Sequence, residues 1–259
     1  MTSPPGPAAT SSGGSGASGA GDRDARPRAA DFRARHRGGG LFTETVNQRL
    51  GSYLCVPAHR LGLAPTVLTL ANLVVGLAAA LLVGGLATRM VGGAVPAVAV
   101  GLGGLVLWQL AYSLDCADGQ LARVTGVASP AGGRVDVLCD VALQIALVTA
   151  VAAVGRAYTP GVPIALVAGF AGTWMVNLVT SVLQQGALAA SLVNGTGSAA
   201  VRVIKLARDY GVAVTVIGLV LAFAPQWTVG LMAVFVVVNG GYLLTAIVAA
   251  ARATLGPRP

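Results

Sequence analysis

Asp115-Cys116-Ala117-Asp118-Gly119-Gln120-Leu121-Ala122-Arg123, followed by Gly132, Asp136 and Asp140, is the stretch on which the reading of this chain turns. It sets four carboxylates among segments that are otherwise almost free of acid. The 259 residues carry only nine acidic side chains, and beyond Glu44 just Asp209 lies outside the run. An ionised group in or beside a bilayer costs about 2.5–3.5 kcal/mol even on the mild insertion scale, so it persists where something compensates it. On helices, Asp115 and Asp118 share one face, as do Asp136 and Asp140. Two helices would then each bring a carboxylate pair to one point. Ala122 falls one turn beyond Asp118, Gly119 and Gly132 leave room for a ligand, and Arg123 offers a fixed cation for phosphate oxygens. All-oxygen donors without a nearby histidine point to Mg²⁺ or Mn²⁺ rather than zinc.

At these spacings the run resembles the D-x2-D-G-x2-A-R-x8-G-x3-D-x3-D signature of the CDP-alcohol phosphotransferase (CDP-alcohol phosphatidyltransferase) family, with all eight specified residues present. The strict motif covers about a tenth of the chain, and the hydrophobic layout around it is similar to the family's six transmembrane helices. The resemblance implies an enzyme of phospholipid synthesis. Its donor would be CDP-diacylglycerol or another CDP-alcohol, its acceptor an alcohol hydroxyl, and CMP would leave. It further implies two divalent ions on Asp115, Asp118, Asp136 and Asp140. Gly119, Ala122, Arg123 and Gly132 would contact the donor, and Asp140 would act as general base. A homodimer is typical of the family. The signature does not encode which alcohol is accepted.

Composition agrees with an integral membrane protein. Hydrophobic residues make up 55% of the chain and charged ones 10%, with a mean hydropathy of +0.76, outside the range of ordinary soluble domains. Stretches long enough to span fall at 66–87, 92–114, 134–156, 161–186, 209–225 and 228–250, the fifth having the shortest apolar run. The expectation is therefore an all-α, polytopic bundle of six spans. Fifteen of the seventeen basic residues lie on one side of such a bundle, leaving Arg89 and Arg156 on the other. The positive-inside rule makes the majority side cytoplasmic, with both termini and the acidic run. Despite a net charge of +8, the expected partners are membrane lipids and substrates, not nucleic acid.

Four regions follow. Residues 1–40 are rich in Gly, Ser, Pro and Ala and then in Arg, and read as a disordered tail with nothing to bury in a core. The tail lacks the apolar region of a secretory signal. Residues 41–62 read as a juxtamembrane amphipathic helix, with Phe42, Val46, Leu50, Tyr53 and Leu54 along one face. Residues 63–252 form the transmembrane domain and 253–259 a short cytoplasmic tail.

Cys55, Cys116 and Cys139 read as small packing residues rather than ligands or disulfide partners, since Cys116 and Cys139 point about 100° away from their neighbouring aspartates on a helix. Gln144 continues the stripe of Asp136 and Asp140. Thr173, Asn177, Ser181 and Gln184 form another, and Asn72, Gln109 and Asn239 occur singly. Each serves helix–helix hydrogen bonding in the simplest reading, while together they could line an acceptor pocket. Arg202, Lys205 and Arg208 could hold a phosphate or anchor the topology, with Lys205 and Asp209 paired one turn apart. A competing class is a divalent-cation transporter using the intramembrane aspartates. It is disfavoured because the acids cluster at one end and because transport has no need of Arg123 beside Gly119 and Gly132.

Overall fold

Proline and glycine punctuate an otherwise helical chain. The structure, a computed structural model, describes residues 27–36, 40–183 and 209–255. Its helices are α1 (Ala29–Ala34), α2 (Gln48–Arg60), α3 (Pro65–Val91), α4 (Ala97–Thr125), α5 (Pro130–Tyr158), α6 (Ile164–Leu183), α7 (Tyr210–Phe223) and α8 (Thr228–Leu255). A π-helical turn, Thr43–Asn47, leads into α2, and there is no strand among the described residues. Pro65 and Pro130 open α3 and α5 at positions where a missing N–H costs nothing. Gly126, in the left-handed region at φ 73°, closes α4. Ser129 then caps α5, its hydroxyl accepting from the Gly132 N–H at 3.1 Å.

The fold is all-α, and four stretches are long and apolar enough to cross a membrane: Pro65–Val91, Ala97–Thr125, Pro130–Tyr158 and Pro225–Val248. Two further apolar stretches, Ile164–Val176 and Tyr210–Phe223, are shorter. The 14 residues of α7 reach about 21 Å at 1.5 Å per residue, against about 30 Å of hydrocarbon. The second long helix also differs from its expected bounds. It begins at Ala97, after the Gly92-Gly93 break, and continues through the acidic run to Thr125 instead of ending at 114.

The long helices turn large apolar side chains outward. On α3, Leu70, Val74, Leu77 and Leu81 make an exposed stripe, and Val234, Val237, Leu244 and Ile247 do so on α8. Water would penalise such stripes, whereas hydrocarbon accepts them. Inside, small residues let the backbones approach. A Cβ at Gly101 of α4 would stand 2.3 Å from the Ala222 nitrogen of α7, and one at Gly76 of α3 would meet Leu143 of α5. α3 runs antiparallel to α4 and parallel to α5, so the start of α3, the end of α4 and the start of α5 share one end of the bundle.

Two N-terminal readings need adjustment. Residues 41–60 are helical, but the face they bury is small and polar: Thr43, Asn47, Gln48, Gly51, Ser52, Cys55 and Ala58. Leu50 and Tyr53, expected on the apolar face, point away from the bundle. The second adjustment concerns the tail expected to be disordered up to residue 40, since Ala29–Ala34 forms α1. One aromatic side chain accounts for it. Phe32 is fully buried with Cys55, Ala58, Leu68, Ala117 and Leu121, and Arg28 N–H donates to Asp31 Oδ2 at 2.7 Å to start the turn.

Candidate metal and phosphate site

Three of the four carboxylates expected to meet at one point do so. Asp115 and Asp118 near the end of α4, and Asp136 near the start of α5, each offer a carboxylate oxygen, all within 4.8 Å of one another. Asp140 stands outside this three-oxygen group, one turn further along α5, where its carboxyl adjoins that of Asp115. The other three aspartates all act electrostatically on Asp115. Asp118 is buried and accepts a hydrogen bond from Thr69 Oγ1 of α3. Asp136 Oδ1 is buried with no hydrogen-bond partner.

These features fit a hard cation. Carboxylates this close repel one another in a low-dielectric setting, and a divalent ion removes that repulsion while giving the orphaned Asp136 oxygen a ligand. The donor set is all oxygen, as hard divalent cations prefer.

The rest of the run surrounds this group. The Arg123 guanidinium lies over Gly119, where a Cβ would press to 2.9 Å from a terminal guanidinium nitrogen. Its Nε donates to the Arg35 carbonyl at 2.6 Å, tying α4 to the residue after α1. Ala122, Arg123, Gly126 and Ala128, together with Ala34, Arg35 and His36 at and after the end of α1, line a cavity of about 360 Å³. Gly132 lies in the first turn of α5, and a Cβ there would meet only the Ser129 hydroxyl, at 3.4 Å. No neighbouring side chain therefore demands a glycine at 132.

The cysteines behave as packing residues. All three are free thiols in buried positions. Cys55 donates to the Ala117 carbonyl at 3.1 Å, and burial pushes its thiol up to about 12, so it carries no thiolate at neutral pH.

Gln109 does what a lone amide in a membrane bundle commonly does. It donates to Gly211 O and Thr215 Oγ1 of α7, both at 2.8 Å, and accepts from Asn47 at 2.8 Å. Thr173 and Asn239 bond to carbonyls of their own helices. The side chains of Asn177 and Ser181, together with Gln184, Arg202, Lys205 and Arg208, lie outside the described residues.

Three contributors were not singled out from the sequence. Thr69 was one hydroxyl among several in an apolar span. Tyr210, at the start of α7, lies within electrostatic range of Asp115 and Asp140 and edge-on to Tyr112, with ring centroids 4.7 Å apart. Asp209 was read only as a partner for Lys205. Its carboxylate accepts from the backbone N–H groups of Phe42, Thr43 and Gly211 and from the Thr43 hydroxyl, at 2.6–3.1 Å, whereas the expected pairing with Lys205 falls on a residue outside the described ones. Asp209 thereby caps two helical segments at once.

No protein-family model matches the chain, and no curated protein matches it.

Proposed function

We propose that the chain is a metal-dependent CDP-alcohol phosphotransferase of phospholipid synthesis. It would transfer a phosphatidyl or phosphoalcohol group from a CDP-linked donor, such as CDP-diacylglycerol, to an alcohol hydroxyl, with release of CMP. The observation that carries this reading is the meeting of both halves of the signature, with oxygens of Asp115, Asp118 and Asp136 within 4.8 Å.

Asp115, Asp118 and Asp136, with Asp140 beside them, would hold Mg²⁺ or Mn²⁺, two ions in all. When bound, the divalent cations neutralise charge on the donor diphosphate. Arg123 contributes a fixed charge to the phosphate oxygens, and Gly119 and Gly132 leave bare backbone for the donor to approach. To Asp140 we assign the proton. Its carboxylate takes it from the acceptor hydroxyl as that oxygen attacks the phosphorus staying with the lipid. The bond from that phosphorus to the bridging oxygen breaks, and the electron pair leaves with CMP.

The same reading sets the molecule in the bilayer. α6 and α7 complete six crossings with the four long helices. The acid cluster and both termini face the cytoplasm, since fifteen of the seventeen basic residues flank that side. α2 lies in the interface with Leu50 and Tyr53 toward lipid, which accounts for their outward position. The assembly proposed is a homodimer.

The test is CMP release from CDP-diacylglycerol by purified protein, with Mg²⁺ or Mn²⁺, across a panel of alcohols. Release that requires both metal and one alcohol establishes the reaction and names the acceptor. Asp140→Asn should lower it about a hundredfold or more, the usual scale for a lost general base, while eluting from detergent as wild type does. Full activity in that variant removes Asp140 from the proton step. Metal binding without CMP release, under every alcohol, moves the assignment first to a different CDP-linked donor and, if none is used, to cation transport.

A further inference from the structure

Helix α1 is too short to be stable alone, since isolated helices under about 12 residues are marginal in water. Tertiary contact must hold it, and that contact is specific. Phe32 is fully buried between α2 and α4 and meets His59 edge-on, with ring centroids 6.0 Å apart. The chain leaving α1 then places the Arg35 carbonyl 2.6 Å from Arg123 Nε. His36 is oriented by a 2.7 Å contact between its Nδ1 and the Arg33 carbonyl. Between this strap and α4 lies the cavity of about 360 Å³, within the size range of small-ligand pockets. The presence of His36 and Arg123 in its lining suits it to a nucleoside phosphate. The same Arg123 covers Gly119, the residue next to Asp118, so cavity and acid cluster are joined through one guanidinium.

We propose that α1 and the residues after it are part of the nucleotide site: anchored by Phe32, they hold Arg123 through the Arg35 carbonyl and close one wall of the cavity that takes the nucleoside end of the donor. This rests on the reading of the protein as an enzyme using a CDP-linked donor. Arg35 acts through its backbone, and Phe32 is a positioning residue that touches no substrate.

CDP is the probe, measured for equilibrium binding to the purified full-length chain with Mn²⁺ present. Mn²⁺ affinity is followed separately by electron paramagnetic resonance. Phe32→Ala should weaken CDP about tenfold, on the scale of one charge-assisted hydrogen bond, and leave Mn²⁺ affinity unchanged. Phe32→Leu should recover most of the loss, because it refills the same pocket. In the wild type, CDP should also slow amide exchange across residues 29–36. That second measurement decides the matter if Phe32→Ala folds poorly. Wild-type CDP binding that is equally tight in Phe32→Ala, or that leaves exchange at 29–36 unaltered, overturns the role of α1 alone. No CDP binding by the wild type removes the donor reading, and this inference with it.

Discussion

Asp209 shows how one side chain can hold two helical segments. Its oxygens take the first N–H groups of the segment leading into α2 and that of Gly211 in α7, where partial positive charge gathers at helix starts. The carboxylate is buried, and Gly40 passes so close that a Cβ there would overlap it. Asp209→Ala leaves those donors buried and unpaired, which should cost about 3 kcal/mol or more. Thermal unfolding in detergent measures this, and an unchanged midpoint would mean that other groups hold the junction. Nothing in the sequence marked Asp209 as a cap over an interval this long, because its partners at Phe42 and Thr43, two backbone N–H groups and one hydroxyl, are some 166 positions away. Asp115, Asp118, Asp136 and Asp140 were legible for the opposite reason. Their spacing is local, and helical geometry alone puts each pair on one face.

Among the helices, glycine decides who touches whom. Gly101 and Gly104 lie three residues apart on α4 yet meet different neighbours: Gly101 faces the α7 backbone at Ala222, while Gly104 faces Val83 of α3. Gly101→Ala would drive its methyl into main-chain atoms that have no rotamer to yield. A cost of about 1–3 kcal/mol is expected, with loosening of α4 from α7. Gly85→Ala provides the control. It is exposed on α3 with nothing within 4 Å of the added carbon, and its helix propensity should improve by roughly 0.5–1 kcal/mol. Parallel unfolding curves for the two variants test the contrast. Equal effects would sink the close-packing explanation. α2 teaches a related lesson. Residues 41–60 are helical, and the bundle binds their small, polar side, because Asn47, Gln48 and Cys55 find partners on α4 there.

For the molecule as a whole, the acid cluster is a strained spot that a ligand can relieve. Bringing four carboxylates together in an apolar bundle opposes folding, so a cation that binds only the assembled site stabilises the whole protein by mass action. At a hundredfold excess over its dissociation constant, Mn²⁺ should add about 2.7 kcal/mol and raise the unfolding midpoint. Asp136→Asn should abolish most of that rise, because Asp136 contributes the unpartnered oxygen. A midpoint indifferent to Mn²⁺ in the wild type would argue against a metal centre. The membrane assignment belongs here too. Four helices have the length and apolarity to span, and outward Leu and Val stripes on α3 and α8 suit lipid better than water.

By itself the sequence determined what depends on neighbours within a few turns: helical segments, their apolar character, and the pairing of carboxylates on α4 and on α5. Periodicity and composition are local quantities, so they survive without knowledge of the fold. Only the tertiary structure decided that Thr69 reaches Asp118, that Asp209 caps two segments, and that Phe32 brings the end of a supposed tail against Arg123. Apart from the local cap of Asp209 on Gly211, each of those contacts joins residues far apart in the chain. Its closure entropy is repaid by burial and hydrogen bonding that exist only once the helices have packed.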